Sequence, residues 1–593
     1  MVKIKQYSIL ALVLLGALSL GCERMEIPGQ ARNDGDASTG EPVTLTTTVS
    51  LAEAPGTKAL TAAGVKTFAV GDQVAIIYKN TSQETVKAVS APLLAEDIAS
   101  DGKMATLTVT LTDPAPSGAV RYIYPAAMAK KTIATNAAMD DAGTIDFTKL
   151  KAQDGTLATL AGSYDLAVFD GTLTADAALP ASVALDNKLT ICEFSIKNGG
   201  NDITAGITMM TVFDGTNAYI VNRAAAAGPI YVAMQPVSGD KTLQFCATDG
   251  TTSYRKHVTG KSLAASNMYP VNLTMPTETR TCLELLTANH TVQNGETLTG
   301  VLLGSYRITT STGQNDAPVT VTLDGVDINS TIPDKAADAG IICNGNTTLV
   351  LVDGSDNKVK GYSAGCAGVY IKKDRTLTIR GNGSLTATGT GEFASYGAGI
   401  GGYGAGESGN IVIESGTIVA QGADNSAGIG TGYVDIAYAS AGITGGDITI
   451  KGGNVTATGG WYGAGIGTGY AYQERVDNQI YQTRNNQCGN ILISGGTVVA
   501  TGGSGAAGIG CGHITTYSYS SGHINSNVCG TITITTGVTS VTATKGDGAP
   551  NCIGKGGIFI YGLQTCGTIT IGGVDKGTDG VNPASGDTYV YQP

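Results

Sequence analysis

The sequence predicts an all-β chain in which an N-terminal β-sandwich module is followed by a right-handed parallel β-helix. Three observations support this prediction. Glycine supplies 84 of the 593 residues while charged residues make up only 14%, a composition too apolar for a disordered chain. Short runs of alternating apolar and polar residues fill the N-terminal half, where helical periodicity is weak. In the C-terminal half one tripeptide recurs at nearly regular intervals, as it does in stacked repeats.

The first 21 residues have the pattern of an export signal. Lys3 and Lys5 precede an apolar run, Ile9 to Leu20, that is too short to span a bilayer. The run leads into Ser19-Leu20-Gly21-Cys22, which resembles a bacterial lipobox. The resemblance implies that Cys22 becomes a lipid-bearing N-terminus anchored in the outer membrane. Residues 22–41 are rich in small and polar residues and are predicted to form a flexible tether. Glu23 and Glu26, soon after Cys22, resemble the surface-export signal of Bacteroidota lipoproteins.

Residues 42–276 are predicted to form a β-sandwich module. Five phrases in this segment resemble, in the same order, the fimbrillin (FimA/Mfa-like) family of Bacteroidota lipoproteins. They are Phe68 to Val74, Tyr122 to Ala126, Gln153 to Leu157 with Tyr164 to Leu166, Ile230 to Val237, and Lys261 to Val271. The resemblance implies two tandem sandwiches and partners of the same family, joined by strand donation. In that family cleavage after a basic residue opens the accepting groove, and Arg32 and Lys58 are the candidates here.

Residues 282–593 contain the repeat. The tripeptide Ala-Gly-Ile (or Val) begins at residues 339, 367, 398, 427, 464 and 507, and each copy leads to an insert and two short β runs. Three brief strands per unit predict a three-sided coil, with inward side chains that stack from coil to coil. The expected ladders are Ile411, Ile448, Ile491, Ile532, Ile569; Ile413, Ile450, Ile493, Ile534, Ile571; Leu385, Ile418, Val455, Val498, Val541; and Ala387, Ala420, Ala457, Ala500, Ala543.

The inserts that follow each Ala-Gly-Ile-Gly lengthen from about nine residues in the first to more than twenty in the third and fourth, and they are expected to emerge on one side of the coil. They span about 402–410, 431–447, 468–490 and 511–531 and hold eight of the chain's 25 tyrosines. Flat rings with nearby amides suit sugars, while the other interpretation is that the rings pack down and order the inserts. The predicted carbohydrate-binding residues are Tyr433, Tyr438, Trp461, Tyr470, Tyr472, Tyr481, Arg484, Tyr517 and Tyr519.

The C-terminal half also resembles β-helical carbohydrate-binding domains related in shape to pectate lyases, through Leu377 to Leu385 and the Gly-Ile-Gly repeats. Lyases on this scaffold use clustered acids that bind Ca²⁺ and a basic residue that abstracts a proton. Arg375 and Arg380 lie in one coil, but no acidic cluster recurs in register with them. The sequence therefore predicts no catalytic residues and no cofactor, and Ca²⁺ is the metal that a lyase alternative would require.

Ten cysteines remain if Cys22 carries lipid, and the sequence leaves their pairing open. Cys192 with Cys246, Cys511 with Cys529, and Cys552 with Cys566 are possible disulfides. Cys488, Cys529 and Cys566 each stand three residues before the first ladder isoleucine of a repeat, so on successive coils they are expected either to lie within disulfide distance or to stack as thiols. A zinc site at His513, His523, Cys511 and Cys529 does not match structural zinc spacing.

The net charge of −12 excludes a nucleic-acid partner, which requires a basic face. The expected function is that of a surface lipoprotein adhesin, as a fimbrial tip or accessory component whose β-helix binds a glycan or another surface ligand. The alternatives are a β-helix polysaccharide lyase or hydrolase, and a structural fimbrial component without a ligand.

Overall fold

A computed structural model describes residues 42–51, 67–311, 317–328, 339–362, 365–392, 395–404, 407–435, 443–473, 485–516, 526–560 and 562–593. The predicted signal segment, the tether and Cys22 lie outside these ranges, as do Arg32 and Lys58. In the described part, no helix is both long and apolar enough to cross a membrane. The helical elements are single turns: Ala95–Asp97, Ala126–Met128, Asp141–Thr144, Phe147–Lys151, Leu157–Thr159, Leu160–Tyr164, Thr204–Gly206 and Leu283–Leu285.

The N-terminal module begins with a seven-stranded sheet. Its strands, in spatial order, are Thr85–Val89, Ala75–Lys79, Ala119–Tyr124, Ala167–Thr172, Ser182–Asn187, Pro42–Leu51 and Met104–Thr112. Pro42–Leu51 lies inside the sheet, antiparallel to Met104–Thr112 and parallel to Ser182–Asn187. The first described strand is therefore held between two strands that come later in the chain.

Two further sheets complete this module. One contains Asn201–Asp202, Thr190–Asn198 and Ile230–Met234, with Met268–Thr274 parallel to Thr190–Asn198. The other contains Thr277–Glu278, Ser253–Leu263, Val237–Thr248, Met209–Phe213, Ala218–Asn222 and Ala152–Gln153.

Strand Met104–Thr112 of the seven-stranded sheet alternates exposed and buried residues, as its sequence predicts, whereas Ala75–Lys79 is buried on both faces and differs from that prediction. Ile76 and Tyr78 enter one apolar core, whereas Ala75 and Ile77 enter a second core shared with the other two sheets. A continuous apolar run is what a strand between two cores requires, so the run Val74 to Tyr78 is consistent with its position. The module thus has two cores that share one sheet.

The C-terminal half is a parallel β-helix, as the sequence predicts. Most coils give two strands to its main sheet, which contains Thr281–Cys282, Glu296–Val301, Val319–Ile328, Thr347–Leu351, Asp356–Lys360, Thr376–Gly381, Ser384–Thr388, Asn410–Ile413, Thr417–Gln421, Ile448–Ile450, Asn454–Thr458, Ile491–Ile493, Thr497–Thr501, Ile532–Ile534, Ser540–Thr544, Ile569–Ile571, Val574–Asp575 and Thr588–Tyr591. The register aligns Ile411 with Ile448 and Ala420 with Ala457, and it continues so through the later coils. All four predicted ladders are confirmed.

The third strand of each coil builds a narrow sheet. It contains His290–Val292, Ile308–Thr310, Ile341–Cys343, Val369–Ile371, Ile400–Gly401, Ile429–Gly430, Ile466–Gly467, Ile509–Gly510, Ile553–Gly554 and Gly580–Val581. In five successive coils the narrow sheet has an isoleucine followed by a glycine that is sterically required: Gly401, Gly430, Gly467, Gly510 and Gly554. A Cβ on Gly467 would lie 1.8 Å from the carbonyl oxygen of Gly510, and its φ of +137° disfavours other residues.

The inserts are more regular than the sequence predicts, because their ends continue the stacking in two additional sheets. The first insert sheet contains Gly391–Glu392, Ser395–Tyr396, Tyr433–Asp435, Ala471–Gln473, Ile514–Thr516 and Ile558–Ile560. The second insert sheet contains Ile443–Thr444, Asn485–Cys488, Ser526–Cys529 and Leu563–Cys566. Each long insert therefore leaves the coil on one strand and returns on another.

Candidate functional site

An exposed tryptophan stands on one corner of the β-helix. Trp461 lies between the strands Asn454–Thr458 and Ile466–Gly467, and 64% of its surface is exposed. The equivalent positions on neighbouring coils hold Asp424, Ser504 and Asp547, of which both aspartates are exposed. One aromatic face is thus flanked, at roughly 4.8 Å per coil, by short oxygen-bearing side chains.

Glycines hold these corner turns in direct contact. A Cβ on Gly460 would lie 1.8 Å from the carbonyl oxygen of Ala423, and one on Gly503 would lie 1.9 Å from that of Gly460. The same relation places Gly546 over Gly503, with a Cβ at 1.7 Å from the carbonyl oxygen. Because only hydrogen fits at these positions, the corner forms a compact backbone wall on which the variable side chains stand.

A ladder of stacked rings, Tyr396, Tyr433, Tyr470 and His513, runs beside this corner along the first insert sheet. Tyr433 and Tyr470 have ring centroids 5.5 Å apart and planes at 13°, and the next step to His513 is 5.8 Å. Tyr396 begins the ladder at 5.5 Å from Tyr433. Only 5% of Tyr433 and 7% of Tyr470 is exposed, so these rings pack against one another at the described ends of the inserts.

Tyr462 connects the exposed indole to the ring ladder. Its ring lies 4.7 Å from that of Tyr470, 5.0 Å from that of His513 and 6.2 Å from that of Trp461. Burial lowers the pKa of His513, so its imidazole in the stack is neutral at neutral pH. Trp461 consequently stands on a packed aromatic base, and this base limits the conformational freedom of its turn.

A second aromatic pair lies on earlier coils. The rings of Tyr370 and Tyr403 are edge to face at 4.7 Å, and 40% of Tyr403 is exposed. Burial raises the pKa of Tyr370 to about 12, and electrostatic interactions with Tyr403 and Glu407 contribute to this increase. The hydroxyl of Tyr370 stays protonated at neutral pH and donates to the carbonyl oxygen of Glu407 at 3.3 Å.

A buried polar ladder fixes the roots of the inserts. The Thr431 hydroxyl donates to Asn486 Oδ1 at 2.7 Å and accepts from the Gly469 amide at 2.9 Å. One coil later Asn527 donates to the carbonyl oxygen of Gly512 at 3.0 Å, and Thr468 accepts from the amide of that glycine at 2.9 Å. These bonds satisfy backbone groups that the inserts would otherwise leave unpaired.

The four predicted sugar-binding residues that the structure describes differ in exposure. Trp461 is exposed, Tyr472 is partly buried at 5.7 Å from Tyr470, and Tyr433 and Tyr470 are buried in the ring ladder. Tyr438, Tyr481, Arg484, Tyr517 and Tyr519 lie outside the described residues. Sequence reasoning missed the ladder, although one signal was present: Tyr433, Tyr470 and His513 each follow Gly-Ile-Gly by three residues.

The cysteines stack along the coils. All ten cysteines in the described part are buried free thiols. Cys529 is in register with Cys488 on one neighbouring coil and with Cys566 on the other, as the stacked arrangement requires. Cys511 and Cys552 instead direct their sulfurs at carbonyl oxygens, namely that of Thr565 at 3.6 Å and that of Asp587 at 3.2 Å.

The pairing of Cys192 with Cys246 meets a geometric obstacle. Phe245 and Ala247 enter the second core of the N-terminal module, which also contains Cys192. Because strand side chains alternate, Cys246 points to the opposite face of its strand. It lies there beside Cys282, and Cys246, Cys282 and Glu284 have ligand atoms within 4.8 Å of one another.

Arg375 and Arg380 are not accompanied by a metal-binding acid cluster in the described ranges. The group formed by Cys246, Cys282 and Glu284 is the one set of three His, Cys, Asp or Glu side chains found there with suitably close atoms. It lies where the first coil meets the N-terminal module, far along the chain from both arginines.

Comparison with known proteins identifies a repeat family in the C-terminal half. The family described as Beta helix repeat matches residues 377–405, 411–433, 448–470 and 491–513. No curated protein matches the chain.

Among solved structures, the N-terminal part is similar to fimbrial and cell adhesion proteins of Bacteroidota. A fimbrial assembly protein from Parabacteroides distasonis is 10% identical, with 39% of this chain and 91% of that chain covered and a TM-score of 0.24. The tip fimbrial protein Mfa3 from Porphyromonas gingivalis, truncated at its C-terminus, is 11% identical, with coverages of 39% and 94% and a TM-score of 0.22. Likeness at this level carries no information on function. The chain thus combines an N-terminal β-sandwich module with a solenoid that contains four segments of the beta helix repeat.

Proposed function

We propose that this chain is a cell-surface adhesin whose β-helix binds carbohydrate at the corner formed by Trp461 and its neighbours Asp424, Ser504 and Asp547. The observation that carries the proposal is the exposure of Trp461, the one tryptophan of the chain, on an aromatic base. The surface location rests on the lipobox-like Ser19 to Cys22 and on the fimbrillin-like phrases of residues 42–276.

The chemistry of the corner suits a sugar. The apolar face of a pyranose stacks on an indole, while its hydroxyls require directional partners such as carboxylates and hydroxyls. Asp424 and Ser504 lie one coil to either side of Trp461, so they can bond hydroxyls at the two edges of a stacked ring. The carboxylates of Asp424 and Asp547 favour neutral sugars over uronates, because they would repel the carboxylate of a uronate.

A glycan array with the full chain tests the proposal. We expect the protein to bind neutral glycans on the array. Trp461→Ala should lower the affinity for these glycans at least tenfold, because stacking on tryptophan supplies much of the binding energy in such sites. Phe559→Ala is the matched control, since this ring is 55% exposed and belongs to the first insert sheet, opposite Thr515, and not to the corner turn of Trp461. Equal binding by wild type and Trp461→Ala would refute the site, and binding restricted to uronate polymers would favour the lyase alternative.

The N-terminal module suggests how the adhesin joins other fimbrial subunits. Pro42–Leu51 is the strand whose removal would leave a groove between Met104–Thr112 and Ser182–Asn187. A donated strand from a related subunit would then restore nine antiparallel residue pairs with Met104–Thr112. Of the two basic candidates, Lys58 follows this strand in the chain, whereas Arg32 precedes it. Cleavage after Lys58 is therefore the event that would separate Pro42–Leu51 from the rest of the protein.

A further inference from the structure

A buried group of sulfur and charge lies where the N-terminal module meets the first coil. Cys246 belongs to Val237–Thr248 and Arg255 to the neighbouring strand of the module, whereas Cys282 belongs to the first strand of the solenoid's main sheet. Glu284 lies in the turn that follows Cys282. Cys246, Cys282 and Glu284 are each at most 4% exposed.

The two charged side chains in this group form an ion pair with each other. Arg255 donates through Nη2 to Glu284 Oε1 at 3.0 Å and through Nη1 to the Thr299 hydroxyl at 2.9 Å. A Cβ on Gly300 would lie 2.0 Å from Glu284 Oε2, so the glycine makes room for the carboxylate. The guanidinium thus neutralises the buried carboxylate and joins the two halves of the chain.

The two thiols are in contact, and the carboxylate faces one of them. The sulfurs of Cys246 and Cys282 lie within 4.8 Å of each other, and Cys246 Sγ is 3.6 Å from Glu284 Oε2. The hydrogen bond with Cys282, burial and the charge of Glu284 raise the pKa of Cys246. Cys246 in the folded chain is therefore a protonated thiol, which is a poor nucleophile and a poor metal ligand.

A metal ion fits this group less well than a disulfide does. Structural zinc takes four ligands, and the described residues supply three here. One of the three, Glu284, already binds a guanidinium, whose positive charge opposes a dication. A disulfide needs only the two sulfurs, which lie within 4.8 Å of each other, and it leaves the ion pair of Glu284 and Arg255 intact.

We propose that Cys246 and Cys282 form a disulfide that fastens the first coil of the β-helix to the N-terminal module. The bond forms during folding, before burial, by exchange with the disulfide of a thiol oxidase or of oxidised glutathione. One thiolate attacks the oxidant's disulfide, and the second thiolate then displaces the oxidant's sulfur from the mixed disulfide. The two protons and two electrons of the cysteine thiols pass to the oxidant, which leaves as a dithiol or as two thiols.

Peptide mapping of the full chain, refolded with oxidised glutathione, tests the bond. Free thiols are blocked with N-ethylmaleimide in denaturant and the chain is digested with trypsin without reductant. We expect the peptides Thr242–Arg255 and Thr281–Arg307 to be joined, with a mass lower by two hydrogens than their sum, and to separate on reduction. Cys246→Ser and Cys282→Ser each abolish the joined peptide, whereas Cys192→Ser, in a buried thiol of the neighbouring core, leaves it unchanged.

Two outcomes would overturn the proposal. Recovery of both peptides with blocked cysteines from the glutathione-treated wild type would show that the thiols stay reduced. One equivalent of zinc in the purified chain, lost on Cys246→Ser but kept on Cys192→Ser, would assign the pair to a metal site. Because the mapping and the zinc content are both measured on the wild type, recovery of two blocked peptides there overturns the proposal whether or not a variant folds.

Discussion

The ring of Tyr470 stacks on that of Tyr433 one coil away, with centroids 5.5 Å apart and planes 13° from parallel. The stack distinguishes aromatic residues that pack in the interior from those that can bind a ligand, a distinction that the sequence does not make. The rings of Tyr433 and Tyr470 are buried against each other, while the indole of Trp461 is exposed and available to a ligand. Substitution of Tyr470 should therefore lower stability, whereas substitution of Trp461 should lower ligand affinity and leave stability nearly unchanged.

Tyr470→Ala should destabilise the solenoid. The ring also contacts Tyr462 and His513, so truncation leaves a cavity and costs about 3 kcal/mol in the free energy of unfolding, as for other large buried aromatic residues. Denaturant titration followed by tyrosine fluorescence measures this loss. Trp461→Ala, which removes an exposed ring, should change stability by less than about 1 kcal/mol. A larger effect for Trp461→Ala than for Tyr470→Ala would contradict the division of roles.

Ala457→Val should destabilise the coil by overpacking. Ala457 is fully buried in the alanine ladder between Ala420 and Ala500, where two extra methyl groups have no space. The expected cost is about 1–3 kcal/mol. Thr456→Val is the matched control, because the adjacent side chain points outward and is exposed. Thermal unfolding should show a lower Tm for Ala457→Val and a nearly unchanged Tm for Thr456→Val.

The ladders could be predicted from the sequence because identical residues recur at one spacing from the first strand of each coil. Ile411, Ile448 and Ile491 each stand 16 residues before an Ala-Gly-Ile, and stacking tolerates little variation in side-chain size. The insert sheets could not be predicted in this way. They are held by backbone pairing and by polar residues such as Thr431 and Asn486, and neither leaves an apolar period in the sequence.

Trp461 was found from the sequence because it is the one tryptophan and lies beside a repeat mark. Its neighbours Asp424 and Ser504 were not, since each is an ordinary turn residue until the coils are aligned. Cys282 was missed for a related reason. Its nearness to Cys246 depends on how the first coil meets the module, and sequence spacing contains no information on that contact.

Gly467→Ala should be among the most damaging single substitutions in the narrow sheet. The new Cβ would lie 1.8 Å from the Gly510 carbonyl oxygen at a φ of +137°, so both the backbone and the next coil must shift. We expect a loss of more than about 2 kcal/mol, seen as a lower Tm. Gly206→Ala provides the comparison, because nothing lies within 4 Å of its Cβ position and its φ is not positive. Similar Tm values for the two variants would exclude the close-packing explanation.

His513 should make stability depend on pH. Burial lowers its pKa below the ordinary value of 6.5, so protonation favours the unfolded chain. The stability it contributes is complete above pH 6.5 and is lost as the pH falls from 6.5 through the lower pKa of the folded state. His513→Phe keeps a ring in the stack and removes the titration. The difference in Tm between pH 7.5 and pH 5.5 should therefore be smaller in this variant, whereas an identical difference would rule out a contribution from His513.

The position of Pro42–Leu51 predicts which proteolytic event makes the chain competent for strand exchange. A site for a sequence-specific protease is placed either at residues 56–62 or at residues 30–36, and each cut chain is incubated with a labelled peptide of residues 42–51. We expect incorporation only after the first cut, because there the resident strand is held by noncovalent contacts alone. After the second cut the strand remains covalently attached, and its high effective concentration excludes the peptide.

The strand contacts explain why exchange after the first cut should be slow but specific. Pro42–Leu51 pairs with nine residues of Met104–Thr112 and four of Ser182–Asn187, so its release breaks bonds on both edges. Val49→Lys in the peptide introduces a charge at a position that is fully buried in the sheet, and this variant should not be incorporated. Val43→Lys, at an exposed position of the same strand, is the matched control and should be incorporated like the original. Equal uptake of both variant peptides would mean that the label binds elsewhere, and the groove would then not be the acceptor.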